Sequence, residues 1–147
     1  MTSLPKNVLL DADVFISYLI GDGLFKHSLR VIESIVAGTV TAYVSSEIYD
    51  DIVSMLRSNG VPVSKVIEFI NAASKIPHKP LPLNPKIVAQ ALRYYAEHGG
   101  PRKLHYFDSY HVATAKHHNL PLLTSDKYII THSNELEIQA IDLRSIK

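Results

Sequence analysis

Two uninterrupted apolar runs in this 147-residue chain, NVLL at 7–10 and PLLTS at 121–125, each stop at an aspartate, Asp11 and Asp126. A short run without alternation predicts a strand covered on both faces, the habit of parallel sheets. The pattern elsewhere predicts helices over 25–37, 45–58, 64–75, 84–98 and 107–119, with further strands over 39–44 (TVTAYV) and 138–143. Gly38 and Asn59-Gly60 read as helix stops, Ser45 or Ser46 as a cap, and Asn84-Pro85 as a helix start. PHKPLPL reads as a proline-rich connection, so residues 60–105 are expected to be mostly helical. Strands alternating with helices imply an α/β fold of three layers, α/β/α, around a central, mostly parallel sheet. Residues 1–147 suit a single domain with a full core.

Composition narrows the function. A formal net charge of +1 is too small to drive nucleic-acid binding by itself, so such a partner needs a local basic patch. The absence of cysteine excludes disulfides and thiolate metal sites, and fits the cytosol. The apolar segment NVLLDADVFISYLI is interrupted by Asp11 and Asp13, which argues against a signal peptide or membrane anchor. Eight histidines include no H-E-x-x-H spacing; most are expected at the surface, His111, one turn after Asp108, is expected to pack or else to hydrogen-bond near that acid, and His117 and His118 to close a helix.

The segment FDSYHVATA at 107–115 carries the sharper question. Phe107, Tyr110 and Ala113 share one line of a helix, and Asp108 lies one turn before Val112, near the packed side. A carboxylate there is costly unless it caps the helix or holds a cation. In open parallel sheets, ligands bind beyond the carboxyl ends of the strands, where Asp11 and Asp126 both fall. The helix after the second strand starts at that edge with SSEIYDDI, bringing Glu47, Asp50 and Asp51. Asp108 joins them if its helix begins on the same edge. Two charges about 4 Å apart at an effective dielectric near 20 repel by roughly 4 kcal/mol. A helix N-terminus offsets only about 0.3–1 kcal/mol. Asp108 or Asp126 alone reads as an ordinary cap, and Glu47 and Asp50 as solvated first-turn charges. The set together reads as a site for Mg²⁺ or Mn²⁺, the hard cations that oxygen ligands favour, and such open sites act on phosphate esters.

The blocks VLLDADVFISYL, the acidic helix after VSS, LHYFDSYHVATA and LPLLTSDK occur in the order of PIN-domain ribonucleases. The chain resembles the small VapC-type toxin group over essentially its whole length. That resemblance implies a Mg²⁺- or Mn²⁺-dependent endoribonuclease hydrolysing RNA phosphodiester bonds. It also implies a homodimer and the toxin half of a pair with an antitoxin protein. Carried over by position, Asp11, Asp108 and Asp126 are the family's first, third and fourth acids. Asp51 falls where the family usually has glutamate, with Glu47 the alternative one turn earlier. Asp13 stands where a small polar residue is usual, and Thr124 or Ser125 matches a hydroxyl that orients the fourth acid or a water. For RNA contact the loop GGPRKLH offers Arg102, Lys103 and His105, with Tyr106 available for stacking, unless it is simply a solvated loop. Lys116 and Lys127 are weaker candidates. Competing readings are a catalytically inactive PIN fold that binds RNA or protein, and an aspartate phosphoacceptor signalling domain. The second requires a central strand that residues 60–105 do not provide.

Overall fold

The computed structural model describes residues 3–147. In chain order the elements are β1 (Asn7–Leu10), α1 (Ala12–Ile20), α2 (Phe25–Val36), β2 (Thr41–Ser45), α3 (Ile48–Ser58) and α4 (Val63–Ser74). There follow β3 (Lys79–Leu81), α5 (Pro85–His98), α6 (Tyr106–His118), β4 (Leu122–Thr124), α7 (Lys127–Thr131) and β5 (Ala140–Asp142). All strand pairs are parallel, in the order β3-β2-β1-β4-β5.

Strand side chains alternate between the two faces, and the core divides accordingly. Val8, Leu10, Ala42, Val44 and Leu123 pack with α1 to α4, whereas Leu9, Leu122 and Tyr43 pack with α5 to α7. The result is the expected α/β/α stack. After β1 the chain moves outward through β2 to β3, then returns to place β4 against the other side of β1. The carboxyl end of the β1–β4 seam is therefore the topological switch point, where a crevice opens in such sheets. Leu10 pairs with Leu123, so Asp11 and Thr124 emerge side by side, and the Asp11 N–H donates to the Leu123 carbonyl at 3.0 Å.

Several boundaries differ from the sequence expectation, each for a local reason. Helix α1 was not expected, because Asp11 caps it directly at the end of β1 with no intervening turn. Its residues Ala12, Val14, Phe15, Ile16 and Ser17 are all buried, leaving no polar face to mark helical periodicity. Gly21, at φ 72°, ends it in the left-handed region that glycine adopts freely. Thr39 and Val40 belong to the preceding turn, both donating backbone N–H groups to the Ser34 carbonyl, so β2 starts only at Thr41. Neither Ser45 nor Ser46 is the N-cap of α3; Glu47 holds that position, while the Ser45 hydroxyl accepts from its N–H. PHKPLPL is not wholly a connection: Lys79–Leu81 forms the edge strand β3, where proline is tolerated because one side needs no ladder bond. Helix α7 also escaped notice, being only five residues long.

Helix α5 follows its sequence signals closely. Asn84 caps it, accepting from the Ile87 N–H at 2.9 Å, with Pro85 in the first turn. Replacing Asn84 with alanine should lower stability by about 1 kcal/mol, measured as a shift in the urea midpoint with an unchanged slope.

Candidate metal centre

Buried polar groups converge at the switch point from four separate elements. Asp11 is held on both oxygens: Oδ1 accepts from the Ala12 N–H at 2.8 Å, and Oδ2 from the Thr124 hydroxyl at 2.6 Å. Asp51 lies in the first turn of α3, facing inward because Ile48, Ile52 and Leu56 bury the same side of the helix. Its Oδ2 meets His111 Nε2 at 2.8 Å. Asp108 lies three residues after His105, the N-cap of α6, and accepts no backbone N–H among the described residues, so it is not a capping residue. It is approached instead by His105 Nδ1 at 3.3 Å.

One donor atom from each of Asp11, Asp51, Asp108 and His111 lies within 4.8 Å of the others. A second group, His105, Asp108 and Asp126, shares Asp108 at the same spacing. Asp126 serves two purposes locally. Its Oδ1 accepts from the Ile129 N–H at 3.0 Å and caps α7, and its own N–H donates to Thr124 Oγ1 at 3.0 Å. The Thr124 hydroxyl thus ties the first acid to the backbone of the fourth, rather than orienting the fourth side chain. The Ser125 N–H and hydroxyl both donate to Asp13 Oδ2, while Asp13 Oδ1 is buried with no partner among the described residues. A cleft of about 330 Å³ opens above these groups, bordered also by Met55, Tyr106 and Phe107.

The remaining expectations divide. Glu47 is half-buried and belongs to neither donor group, and Asp50 is exposed. His105 borders the cleft, whereas Arg102 and Lys103 are exposed on the loop before α6 and do not line it. Lys116 is occupied by Glu137 at 3.1 Å. His111 is the chief correction: expected to pack, it has no solvent exposure and points into the acids. Its spacing of three residues from Asp108 was the available signal, since that spacing shares a helix face. Arg144 was also missed. It donates to the Ser125 carbonyl at 3.0 Å and to Asp142 at 3.2 Å, bracing the turn after β4.

Burial raises the Asp11 carboxyl well above the usual range, and repulsion from Asp108, Asp13 and Asp51 adds to it, against the Thr124 hydrogen bond. Burial likewise pushes Asp13 up to about 6, opposed by its bonds from Ser125. Asp108 is raised because burial outweighs the His105 contact and His111. His105 is raised by its hydrogen bond to Asp108. Carboxylates that make one another harder to ionise are the electrostatic signature of a site for a dication. Asp11, Asp51 and Asp108 bring hard oxygen donors within 4.8 Å of one another, a set that fits one.

The PIN domain family profile matches residues 8–133, most of the chain. The chain belongs to the PIN-domain family. This PIN protein is similar in fold to VapBC2 of Rickettsia felis, solved bound to a promoter DNA fragment, with a TM-score of 0.65 at 11% identity over 92% of this chain and 98% of that one. It is similar to VapBC-1 of nontypeable Haemophilus influenzae, with a TM-score of 0.63 and 15% identity over 95% and 99% of the two chains. FitAcB of Neisseria gonorrhoeae gives 0.60 and 20% identity over 94% and 99%. No curated protein sequence matches the chain significantly. Membership of the PIN family displaces the phosphoacceptor alternative, and the strand found between residues 60 and 105, β3, lies at the sheet edge rather than its centre. Among the described residues no helix is long and apolar enough to cross a membrane.

The pH dependence of the metal-free protein follows with a definite sign. A carboxyl whose folded pKa is raised binds more protons folded than unfolded between the two values, so stability falls as pH rises through that window. In chelator, Asp13→Asn should therefore melt several degrees above wild type at pH 7.5, on the order of 1–2 kcal/mol. The two should coincide near pH 3, below the window that runs from 3.8 to about 6. A constant difference at both pH values would show that ionisation of Asp13 is not the cause. Thr124→Val should destabilise by about 1–3 kcal/mol, since Asp11 Oδ2 and the Asp126 N–H both lose their partner; chemical denaturation measures it.

Proposed function

We propose that this PIN protein is a divalent-metal-dependent endoribonuclease that hydrolyses RNA phosphodiester bonds, with Mg²⁺ or Mn²⁺ as its cation. The observation that carries the reading is the meeting of Asp11, Asp51 and Asp108, from three separate elements, inside a single donor group at the sheet's switch point. Asp11, Asp51 and Asp108 would hold the cation, with Asp126 completing the rim through the group it forms with Asp108. Bound there, a divalent cation supplies Lewis acidity toward a phosphodiester and makes water more acidic.

The chain's own residues do the rest. Thr124 and the Ala12 N–H keep Asp11 in one orientation. Asp108, whose carboxyl burial holds above its usual range, is more basic for it and would serve as a proton acceptor for water. Tyr106, at 44% exposure on the rim, offers a face on which an unpaired base can stack. Arg102 and Lys103 supply positive charge on the loop that leads into α6, the local patch that a nearly neutral chain requires.

We further propose that it acts as the toxin of a toxin–antitoxin pair, as a homodimer blocked by an antitoxin protein. The likeness in fold to VapBC and FitAB proteins over nearly their whole length supports this. A PIN fold that binds RNA or protein without cutting it would keep the same acids but tolerate their loss.

Asp108→Asn separates these readings. It should abolish Mn²⁺-dependent cleavage of unstructured RNA on a denaturing gel while leaving the metal-free melting temperature equal or higher; unchanged cleavage removes Asp108 from the mechanism. Mn²⁺ at about 100 times its Kd should stabilise the wild type by roughly 2.7 kcal/mol relative to chelator. Asp51→Asn should lose this stabilisation and Glu47→Gln should keep it, which identifies the second acid.

A further inference from the structure

Asp51 is one methylene shorter than a glutamate at the same place, yet its carboxylate reaches the same group of donor atoms as Asp11 and Asp108. The geometry points to His111 as the reason: it is a positioning residue whose Nε2–H holds Asp51 in the cation site. The inference rests on the metal-dependent reading above.

Each neighbouring acid has its own holder. Asp11 has Thr124 and the Ala12 N–H, Asp13 has Ser125, Asp126 has the Ile129 N–H, and Asp108 has His105. Among the described residues the one hydrogen bond to the Asp51 side chain comes from His111 Nε2, at 2.8 Å. The bond links α6 to α3 across 60 residues of sequence. Asp108 and His111, three apart, share one face of α6, so a single helix face presents both an acid and the holder of another acid.

Two other roles for His111 fit less well. As a packing residue it would be a poor choice, because the ring has no exposure and its Nδ1 is buried without a partner. Leucine would fill similar space with no orphaned polar atom. As a direct ligand it would have to turn a bare Nε2 toward the cation and carry its proton on Nδ1. That leaves a buried N–H with no acceptor and sets two lone pairs against each other across the 2.8 Å contact with Asp51. Ligating histidines ordinarily donate their second N–H to a carboxylate or carbonyl, and none is in reach here. With the proton on Nε2, both difficulties vanish: Asp51 Oδ2 is bonded, Oδ1 stays free for a cation, and Nδ1 is merely an unused acceptor. The 4.0 Å separation from Asp11 Oδ1 leaves the first acid unblocked.

Calorimetric titration of the intact chain with MnCl₂, beside metal-free melting curves, tests this without reference to cleavage. His111→Leu should weaken Mn²⁺ binding about 10- to 100-fold, the usual effect of losing a residue that orients a ligand, while its metal-free melting temperature stays equal or rises. His111→Gln, whose amide N–H can donate to Asp51, should recover most of the affinity. Wild-type affinity in His111→Leu would overturn the inference, as would complete loss of binding in both variants, which would make His111 a ligand. No Mn²⁺ binding by the wild type would instead overturn the metal-dependent reading itself. If His111→Leu does not fold, the imidazole ¹⁵N signals of the wild type decide: a proton on Nε2 is expected, and one on Nδ1 refutes the assignment.

Discussion

Like charges repel most strongly where water cannot screen them, and this fold drives carboxylates into such a place. Asp11, Asp51 and Asp108 are all at least nine-tenths buried and share one small volume. Burial makes Asp11 and Asp108 harder to ionise, and repulsion from the neighbouring carboxylates adds to it. A chain selected only for stability would not keep this arrangement, since apolar residues of similar size would remove the repulsion. The stability forgone is the physical mark of a site, and the surrounding architecture serves to tolerate it.

That tolerance comes from hydrogen bonds that belong to the scaffold. The β1–β4 register sets Thr124 beside Asp11, and the same hydroxyl accepts from the backbone of Asp126, so one threonine braces two acids. Ser125 does the same for Asp13, and Arg144 holds the Ser125 carbonyl. Helix α6 is buried over nearly all of Asp108 to Ala115, which fixes Asp108 and His111 on a rod that cannot sway. Its own hydroxyls are satisfied within the helix, Ser109 on the Tyr106 carbonyl and Thr114 on the Tyr110 carbonyl. Those two hydroxyls therefore do not compete for the acids.

Cavity size would have directed attention elsewhere. A larger depression, about 550 Å³, lies between α5 and α6 beside Lys86, Arg93 and Lys116, away from the carboxylates. The smaller cleft above the acids is distinguished by burial, shared charge and position at the switch point. Those three properties, rather than volume, support the metal-dependent chemistry proposed for this PIN protein.

Much of this was legible in the chain itself. Uninterrupted apolar runs closed by Asp11 and Asp126 read as doubly covered strands with acids at one edge, and Asn84-Pro85 carries its capping chemistry locally. Helix α1 was not legible, because apolar residues surround most of it and its exposed end is itself apolar, leaving little polar face to reveal its period, and β3 was hidden by prolines that an edge strand tolerates. Asp51 over Glu47 could be argued only by counting, whereas the fold shows that the inward face of α3 buries Asp51 and brings it, not Glu47, among the donor atoms of Asp11 and Asp108. For His111 the sequence offered only its spacing from Asp108, not the acid it holds. Its role depends on a bond to a residue 60 positions away, and only the packing of α6 on α3 creates that neighbour. Local chemistry, caps and strand ends, is written in adjacent residues, but which side chain supports which acid is settled by distances that exist only once the layers have closed.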